Sequence, residues 1–484
     1  MPNALASLML LLWPVACLVL LRRLPIERGV IWCILGGYLL LPPRANFDLP
    51  LVPPMDKDSI PAISAFLVAV FALNRKVPLL PKTPAARLLV LLFILGAIPT
   101  VLTNGDPAVY SDGTGRVWVV PGLRTHDTLS AVVQQMIVLL PFLLGRALLA
   151  SEAGMREILK AMMLGGLIYS IPALIEIRLS PQMNVWVYGF FQHSFEQMMR
   201  DGGFRPLVFL PHALWLAFFM FGAVLSTAAL AKLNPPPERI KLIFATIYLL
   251  GVLYLCKSLA SQLYAISFLT LVLLTNPKMQ IRATIILAII AISYPMLRNA
   301  GLIPVDDILE RAAAFSQERS DSMQYRFNNE ELLLERAHSK SLFGWGGWGR
   351  NLLLDPGSGE ILTVPDGRWI IVFGESGWLG YIAEMGLLAT PLVVLWQRSL
   401  RHPGDRSLAY AAPIALILAA NMVDMLVNAT LIPLTWLFAG AILGFAENEA
   451  RATSPTASPQ GKPKFGRDPV IGRRTRPKGR RTIL

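Results

Sequence analysis

Long apolar runs recur along most of the chain and are separated by short polar stretches. Each run is about as long as a helix must be to cross the hydrocarbon core of a bilayer, or somewhat shorter. The runs fall roughly at residues 4–21, 29–41, 60–73, 88–102, 128–148, 158–175, 206–230, 241–255, 261–274, 283–297, 369–396, 408–423 and 427–445. This pattern predicts an all-α polytopic membrane protein with about 11–13 transmembrane helices.

The amino-acid composition agrees with this pattern. Apolar residues make up 54% of the 484 residues and charged residues only 15%, with a mean hydropathy of +0.53. Soluble proteins average about 45–50% apolar and about 25% charged residues, so the chain is too hydrophobic for a soluble domain. The three cysteines lie in apolar runs and form no C-x-x-C pair. We therefore expect neither a disulfide framework nor a zinc site. No other part of the sequence indicates a metal or a cofactor, and we expect none.

The basic residues are distributed unevenly and indicate the topology. Lys and Arg number 44 against 31 Asp and Glu, which gives a formal net charge of +13. Ten of the basic residues lie in a Pro/Ser/Thr/Gly-rich stretch that predicts a disordered tail over residues 447–484. With this tail in the cytoplasm, most other basic residues fall in cytoplasmic loops, as the positive-inside rule requires. The excess of basic residues therefore reflects the orientation of the chain in the membrane and does not indicate nucleic-acid binding. Residues 1–446 are predicted to form the membrane domain.

Sixteen basic residues remain on the predicted outer side, where this rule disfavours them. Half of them lie in the largest outer loop, about 298–368, and two smaller outer loops cover about 104–127 and 177–205. Residues 303–337 of the largest loop predict an amphipathic helix, and the Gly/Trp-rich residues 344–349 an irregular turn. Arginine binds phosphate oxygens in a bidentate manner, which favours a diphosphate ligand at the headgroup level. Ion pairs within the loops, or contacts with anionic lipid, are the alternative.

Arg205 is the most informative single residue. It stands in a Gly-Gly-Phe-Arg-Pro sequence in which Pro206 is predicted to begin a helix at the outer mouth of a span. His212 follows seven residues later, on the same face of that predicted helix. The alternative is a capped helix whose arginine extends to the membrane interface. Glu375 lies between two glycines in another apolar run, and ionisable residues in such runs are functional candidates.

The largest outer loop holds further candidates for catalysis and sugar binding. His338 lies close to Arg336, which disfavours the imidazolium form, so we expect a neutral ring that can accept a proton. Trp345 and Trp348 either stack on sugar faces or anchor the loop at the membrane interface. The chain has no P-loop and no H-E-x-x-H motif, so ATP hydrolysis and zinc proteolysis lose support.

Three stretches resemble the O-antigen ligase and O-antigen polymerase superfamily of bacterial inner membranes. They are Gly202-Gly203-Phe204-Arg205-Pro206 leading to Phe209 and His212, then Tyr325-Arg326 through Ala337 with Leu342-Phe343-Gly344-Trp345-Gly346, and finally Pro365-Asp366-Gly367-Arg368-Trp369 with Gly374-Glu375-Ser376-Gly377-Trp378-Leu379-Gly380. Together with the layout of the apolar runs, the likeness covers the chain up to the tail.

The resemblance implies a lipid-dependent glycosyltransferase with a large, partly helical periplasmic loop. Its donor would be an undecaprenyl-diphosphate-linked glycan bound at the periplasmic face of the bacterial inner membrane, and its C-terminus would be cytoplasmic. The implied site residues are Arg205, Arg326, Arg336 and Arg200 for the donor diphosphate, His338, Asp366 and Glu196 for catalysis, and Trp345, Trp348, His212 and Glu375 for the glycan.

Three functions remain open within this interpretation. A polymerase would join lipid-linked repeat units into exopolysaccharide or O-antigen, whereas a ligase would move the glycan to lipid A core or to protein. A transporter would carry the same lipid-linked glycan across the membrane. The large cationic outer loop and the lack of an internal repeat favour an enzyme, with polymerase first. The expected partners are the lipid-linked glycan, a glycan acceptor, membrane lipid, and flippase and chain-length regulator proteins.

Overall fold

The computed structural model describes residues 1–48, 53–200 and 202–448, and helices form most of this part of the chain. The helices are α1 (Ala4–Arg23), α2 (Ile26–Leu40), α3 (Ser59–Leu67), α4 (Pro84–Leu95), α5 (Ala97–Leu102), α6 (Thr125–Leu148), α7 (Glu152–Leu179), α8 (Met183–Tyr188), α9 (Ala213–Leu233), α10 (Glu238–Leu255), α11 (Leu259–Leu274), α12 (Pro277–Asn299), α13 (Val305–Phe315), α14 (Gln317–His338), α15 (Arg368–Arg401), α16 (Leu408–Asp424) and α17 (Pro433–Glu447). Two short antiparallel hairpins join β1 (Ala108–Ser111) to β2 (Val117–Val120), and β3 (Met199–Arg200) to β4 (Gly203–Phe204).

Seven helical segments of the described chain are long and apolar enough to cross a membrane. They are Ala4–Arg23, Pro84–Leu102, Thr125–Leu148, Glu152–Leu179, Ala213–Leu233, Pro277–Asn299 and Arg368–Arg401. Shorter apolar helices, including α11, α16 and α17, pack among them. The prediction of a mostly helical, polytopic membrane protein is confirmed at this level, while the count of 11–13 spans stays a prediction.

Helix α9 lies at the centre of the helical bundle. Within its most apolar stretch 89% of the residues are buried, and it packs against α7, α10, α11 and α16. The corresponding stretch of α1 is only 28% buried, and Leu11 of this helix is exposed. A soluble protein rarely exposes such extended apolar surface, whereas lipid tails cover it in a membrane.

Helices α6 and α17 pack most closely because glycines face each other's backbone. A Cβ atom at Gly440 would collide with the carbonyl oxygen of Phe142, and one at Gly145 would collide with the carbonyl oxygen of Leu437. Small residues at helix interfaces let the two backbones approach, and this packing replaces the hydrophobic driving force that a lipid environment lacks.

Helix α15 is broken near its start by Gly377, which has a φ of 61°. The predicted irregular turn lies against this break. The backbone N–H of Trp345 donates to the carbonyl of Gly374 at 2.8 Å, and that of Trp378 donates to the carbonyl of Ser341 at 2.8 Å. The glycines around Glu375 therefore open the helix, as the sequence predicts, and the large loop binds to the exposed backbone.

The remaining loop structure differs from the prediction in one respect. The amphipathic helix predicted over residues 303–337 is two helices, α13 and α14, because Ser316 between them is extended with a φ of −165°. Helix α14 packs against α15. Beyond Asn448, the predicted basic tail lies outside the described residues.

Candidate functional site

An irregular segment, not a helix, joins Arg205 to His212. Helix α9 begins only after His212, whose ring Nδ1 accepts the backbone N–H of Leu214 at 3.0 Å. The prediction that Pro206 begins the helix, with the arginine and the histidine on one helical face, is therefore wrong. Val208 has a φ of 54°, in the left-handed region that interrupts a right-handed helix. We call residues 205–212 the entry segment.

Four buried polar side chains from three other parts of the chain hold the entry segment in place. Two side chains of α7 accept backbone N–H groups: Glu176 Oε2 accepts those of Leu207 and Val208, both at 2.8 Å, and the Tyr169 hydroxyl accepts that of Phe209 at 3.0 Å. Two further side chains donate to backbone carbonyls. The Gln192 amide donates to Val208 and Leu210 at 2.9 and 3.1 Å, and the Lys57 ammonium donates to Phe209 at 2.9 Å. Irregular backbone at membrane depth is tolerated only where protein encloses it and satisfies its polar groups. These contacts fix Arg205 and His212 at the two ends of the segment.

Both ends of the entry segment line a cavity of about 580 Å³, at the end of the bundle where α9 and α15 begin and α16 ends. Among the residues around it are His193 and six of the predicted site residues, namely Glu196, Arg200, Arg205, His212, Arg326 and Asp366. We call it the arginine cavity. Its volume lies within the range of about 300–1,000 Å³ that is typical of small-molecule sites.

The charged groups of the arginine cavity give it a net positive charge. Among the described residues that line the cavity, three arginines face two carboxylates, those of Glu196 and Asp366. Arg205 is 4% exposed, and Arg326 is half-buried and has its Nε 3.6 Å from Asp366 Oδ2. Such a site favours an anion because guanidinium groups stay charged and donate several hydrogen bonds to phosphate oxygens.

A buried polar network positions Arg326. Its Nη1 donates to the carbonyl of Val427 at 2.7 Å and to the side-chain oxygen of Asn428 at 3.2 Å. The amide nitrogen of Asn428 donates to Asp424 at 3.0 Å, and the Thr430 hydroxyl donates to the same carboxylate at 2.7 Å. The connection between α16 and α17 therefore orients an arginine that α14 supplies, and packing fixes its side chain in advance of any ligand.

Two histidines in the cavity are arranged as hydrogen-bond donors. The rings of His193 and His212 stand edge to face with their centroids 4.5 Å apart. Burial lowers the pKa of His193, and burial, together with its neighbours His193 and Arg205, lowers the pKa of His212 to about 3, so both rings are neutral at pH 7. Each Nδ1 accepts a backbone N–H, from Ser194 at 2.8 Å and from Leu214 at 3.0 Å. In a neutral ring the proton is then on Nε2, which can donate but not accept.

Among the described residues that line the cavity, Asp366 and Glu196 are the carboxylates that can accept a proton. Burial raises the pKa of Asp366, and the charge of Arg326 partly opposes this rise. A carboxylate with a raised pKa is a better general base near neutral pH than an exposed one. Glu196 lies in an exposed turn at the edge of the cavity.

Arg336 does not line the arginine cavity. It lies ten residues beyond Arg326 on α14, which separates the two by about 15 Å along the helix. Its guanidinium lies between the rings of Tyr110 and Trp345, at 4.5 and 4.2 Å from their centroids, and its Nε donates to the carbonyl of Arg350 at 2.9 Å. Arg336 and Trp345 thus join the β1–β2 hairpin to the large loop, and their predicted roles in ligand binding find no support in this geometry.

The other three predicted site residues also lie apart from the cavity. The His338 ring bonds to the side chain of Asn299, and its centroid is 6.4 Å from that of Phe373. Trp348 is 62% exposed. Glu375 lies at the break in α15 and lines no wall of the arginine cavity. His338 is therefore placed away from the three arginines of the arginine cavity.

His193 and Asn428 line the cavity but were not among the predicted site residues. Neither stands in a recognisable motif, and the cavity brings them together with partners that are distant in the chain. Within the described residues no group of three or more His, Cys, Asp or Glu side chains is placed to hold a metal ion. No protein-family model matches the chain, and a comparison with curated proteins found no match.

Proposed function

We propose that the protein is a glycosyltransferase that uses an undecaprenyl-diphosphate-linked glycan as its donor, at the outer face of the bacterial inner membrane. Its favoured activity is the polymerisation of lipid-linked repeat units into exopolysaccharide or O-antigen. Transfer of the glycan to lipid A core or to protein, as by a ligase, is the alternative. The observation that supports the proposal is the arginine cavity, a cationic site at the end of an apolar helical bundle.

The donor would bind through its diphosphate. A lipid-linked diphosphate carries its charge at the boundary between the lipid tails and water, where helices such as α9 and α15 begin. Arg205, Arg326 and Arg200 would contact the phosphate oxygens, and the Nε2 protons of the two histidines would add uncharged hydrogen bonds. The isoprenoid tail would remain in the membrane beside the apolar helices.

The proposed reaction is a single displacement at the anomeric carbon of the donor glycan. The oxygen of an acceptor hydroxyl forms a bond to that carbon, the bond from that carbon to the diphosphate oxygen breaks, and the hydroxyl proton passes to a carboxylate. The leaving lipid diphosphate gains one negative charge, which the arginines of the cavity stabilise. Charge stabilisation by groups held in place before the reaction commonly contributes more to catalysis than any other single effect.

Asp366 and Glu196 are the candidates for the base in this reaction. Asp366 is favoured because burial raises the pKa of its carboxyl and because it lies beside Arg326, which would bind the leaving group. The histidines of the cavity are unsuited to this role because their Nδ1 atoms already accept backbone N–H groups. His338 lies outside the cavity and is not proposed as the base.

Alanine substitution of Arg205 or Arg326 tests the proposal. Removing one preorganised group that stabilises charge costs about 10²–10³-fold in rate, so we expect each variant to lose lipid diphosphate release by that factor. Arg311→Ala is the matched control, because Arg311 lies in the same outer loop on α13 but lines no wall of the cavity. Normal product from both cavity variants, with all three proteins inserted and folded, would contradict the proposal.

The glycans that accumulate in cells lacking the protein distinguish a polymerase from a ligase. Loss of a polymerase in cells collapses a high-molecular-weight ladder to single repeat units. Loss of a ligase leaves the ladder intact on undecaprenyl lipid but detached from its final acceptor.

A further inference from the structure

A second cavity of about 210 Å³ adjoins the arginine cavity. Ala429 lines both cavities. The chain on either side of Gly367 also contributes to both, because Asp366 lines the first cavity and Arg368 lines the second. The backbone N–H of Arg368 donates to the carbonyl of Met425 at 2.8 Å, so hydrogen bonds fix the two segments that separate the cavities.

The second cavity has the opposite charge to the first. Asp56 and Asp58 line it, together with Arg368. Two hydrogen bonds of 2.7 and 2.6 Å join the guanidinium of Arg368 to the carboxylate of Glu384, which neutralises its charge. Among the described residues that line this cavity there is no further cation. The ammonium of Lys57, which lies between the two aspartates in the chain, interacts with both carboxylates and offsets one of their two charges, so the cavity keeps a negative charge that would repel a second diphosphate.

Polar side chains in this cavity face an otherwise apolar wall. Gln134 stands in the apolar helix α6, and Ile137, Pro141 and Trp436 are among its neighbours in the lining. A polar side chain in a membrane-spanning helix is costly unless it meets a hydrogen-bonding partner, and such residues commonly mark functional sites. Asp58 precedes α3 without capping its N-terminus, so its carboxylate is not committed to the helix.

We infer that the second cavity binds the uncharged, hydroxyl-rich end of the acceptor glycan, with Asp58 accepting hydrogen bonds from sugar hydroxyls and Gln134 accepting or donating them. This inference rests on the proposed function and adds to it the site of the second substrate. An acceptor held here reaches the donor past Ala429, where the cavities meet. The contrast in charge assigns each substrate to its own cavity, since the diphosphate requires the arginines and the neutral sugar does not.

The test measures acceptor and donor kinetics separately. The donor is the lipid-linked repeat unit, and the probe for the acceptor is the same glycan without its lipid diphosphate. Asp58→Asn replaces a charged hydrogen-bond acceptor by a neutral one and puts an NH₂ donor in place of one carboxylate oxygen, so we expect the acceptor KM to rise about ten- to a hundredfold. Gln134→Leu removes bonds to a neutral group, for which we expect about a three- to tenfold rise. The donor KM, and the slow hydrolysis of the donor without an acceptor, should stay within about twofold of the wild type.

Matched controls come from positions that do not line the cavity. Gln135→Leu changes the neighbouring residue of α6, and Asp112→Asn changes an aspartate in the loop of the β1–β2 hairpin; neither residue lines the second cavity. Both controls should keep the acceptor KM of the wild type. Thermal unfolding in detergent identifies any variant that fails to fold, and the two cavity variants then serve as independent tests.

The outcomes separate this inference from the proposed function. A wild-type protein that releases no lipid diphosphate with any acceptor would overturn the proposed function itself. An active wild type whose Asp58→Asn and Gln134→Leu variants keep the acceptor KM would overturn only the acceptor site. A rise in the donor KM without a change in the acceptor KM would also overturn it.

Discussion

The carboxylate of Glu176 holds the entry segment, and replacing it with glutamine should release that segment. Oε2 accepts the N–H groups of Leu207 and Val208 at 2.8 Å, and Oε1 accepts that of Met183 at 2.9 Å. A glutamine of the same shape has only one oxygen. At least one of the three N–H groups would then face an NH₂ donor, and the remaining bonds would lose their charged acceptor.

The size of the effect follows from these three bonds. A hydrogen bond to a charged group contributes about 1.5–3 kcal/mol, a neutral one about 0.5–1.5 kcal/mol, and a buried donor left unsatisfied costs about 1–3 kcal/mol. We therefore expect Glu176→Gln to weaken the attachment of the entry segment by about 3 kcal/mol or more. At about 1.4 kcal/mol for each factor of ten, local opening should become at least about a hundredfold more frequent.

Hydrogen exchange of the backbone amides measures this opening directly. Glu176→Gln should accelerate exchange of the amides of Leu207 and Val208 about a hundredfold and should reduce lipid diphosphate release, because Arg205 is no longer held. Glu152→Gln is the control, since Glu152 is exposed in the first turn of the same helix α7. Exchange in Glu176→Gln that stays within about threefold of the wild type would refute this role of the carboxylate.

Three further predictions concern stability and are checked by thermal unfolding in detergent. Gly440→Ala should lower Tm by several degrees because its Cβ has no room against α6, whereas Gly404→Ala, in open space, should not. In the folded protein the pKa of His212 is about 3, below the ordinary value of about 6.5. The neutral His212 ring therefore contributes stability that is fully present above pH 6.5 and is lost as the pH falls toward 3. His212→Asn, which keeps a capping side chain, should make Tm less dependent on pH in this range. Arg336→Ala should cost about 2 kcal/mol of stability and leave the donor KM unchanged; a selective rise in the donor KM would instead support its predicted role in diphosphate binding.

The positions of the helices could be predicted from the sequence because the bilayer imposes a length and a composition on them. Each apolar run contains or overlaps a helix of the structure, and α12 and α15 extend the predicted runs by only a few residues at either end. Gly377 and its neighbours also indicated the break in α15, since a residue with positive φ in a helix is most easily a glycine.

The entry segment could not be predicted because its cause is not local. Pro206 is a typical first residue of a helix, and the apolar residues after it continue the pattern of a span. Glu176, Gln192 and Lys57 lie outside the segment in the chain, yet they bind the backbone groups that a helix would have paired internally. A local pattern contains no information about such partners.

Only part of the candidate site could be predicted, because a local pattern contains no information about tertiary partners. Residue type alone does not distinguish Arg326 from Arg336, since both are arginines of α14, and only the resemblance favoured Arg326. Packing separates them, because Asn428 binds the first at the arginine cavity, while Tyr110 and Trp345 enclose the second. Residue type indicated the chemistry of the site, but only the tertiary contacts decide which arginines take part in it.

The most direct test of the proposed glycosyl transfer uses the purified protein with lipid-linked repeat units, without nucleotide or added metal. We expect release of undecaprenyl diphosphate together with longer lipid-linked glycans, and loss of both products in Arg205→Ala. Activity that requires a lipid or protein acceptor would identify a ligase. No release of lipid diphosphate with any of these acceptors would contradict the assignment of the arginine cavity as a glycosyl-transfer site.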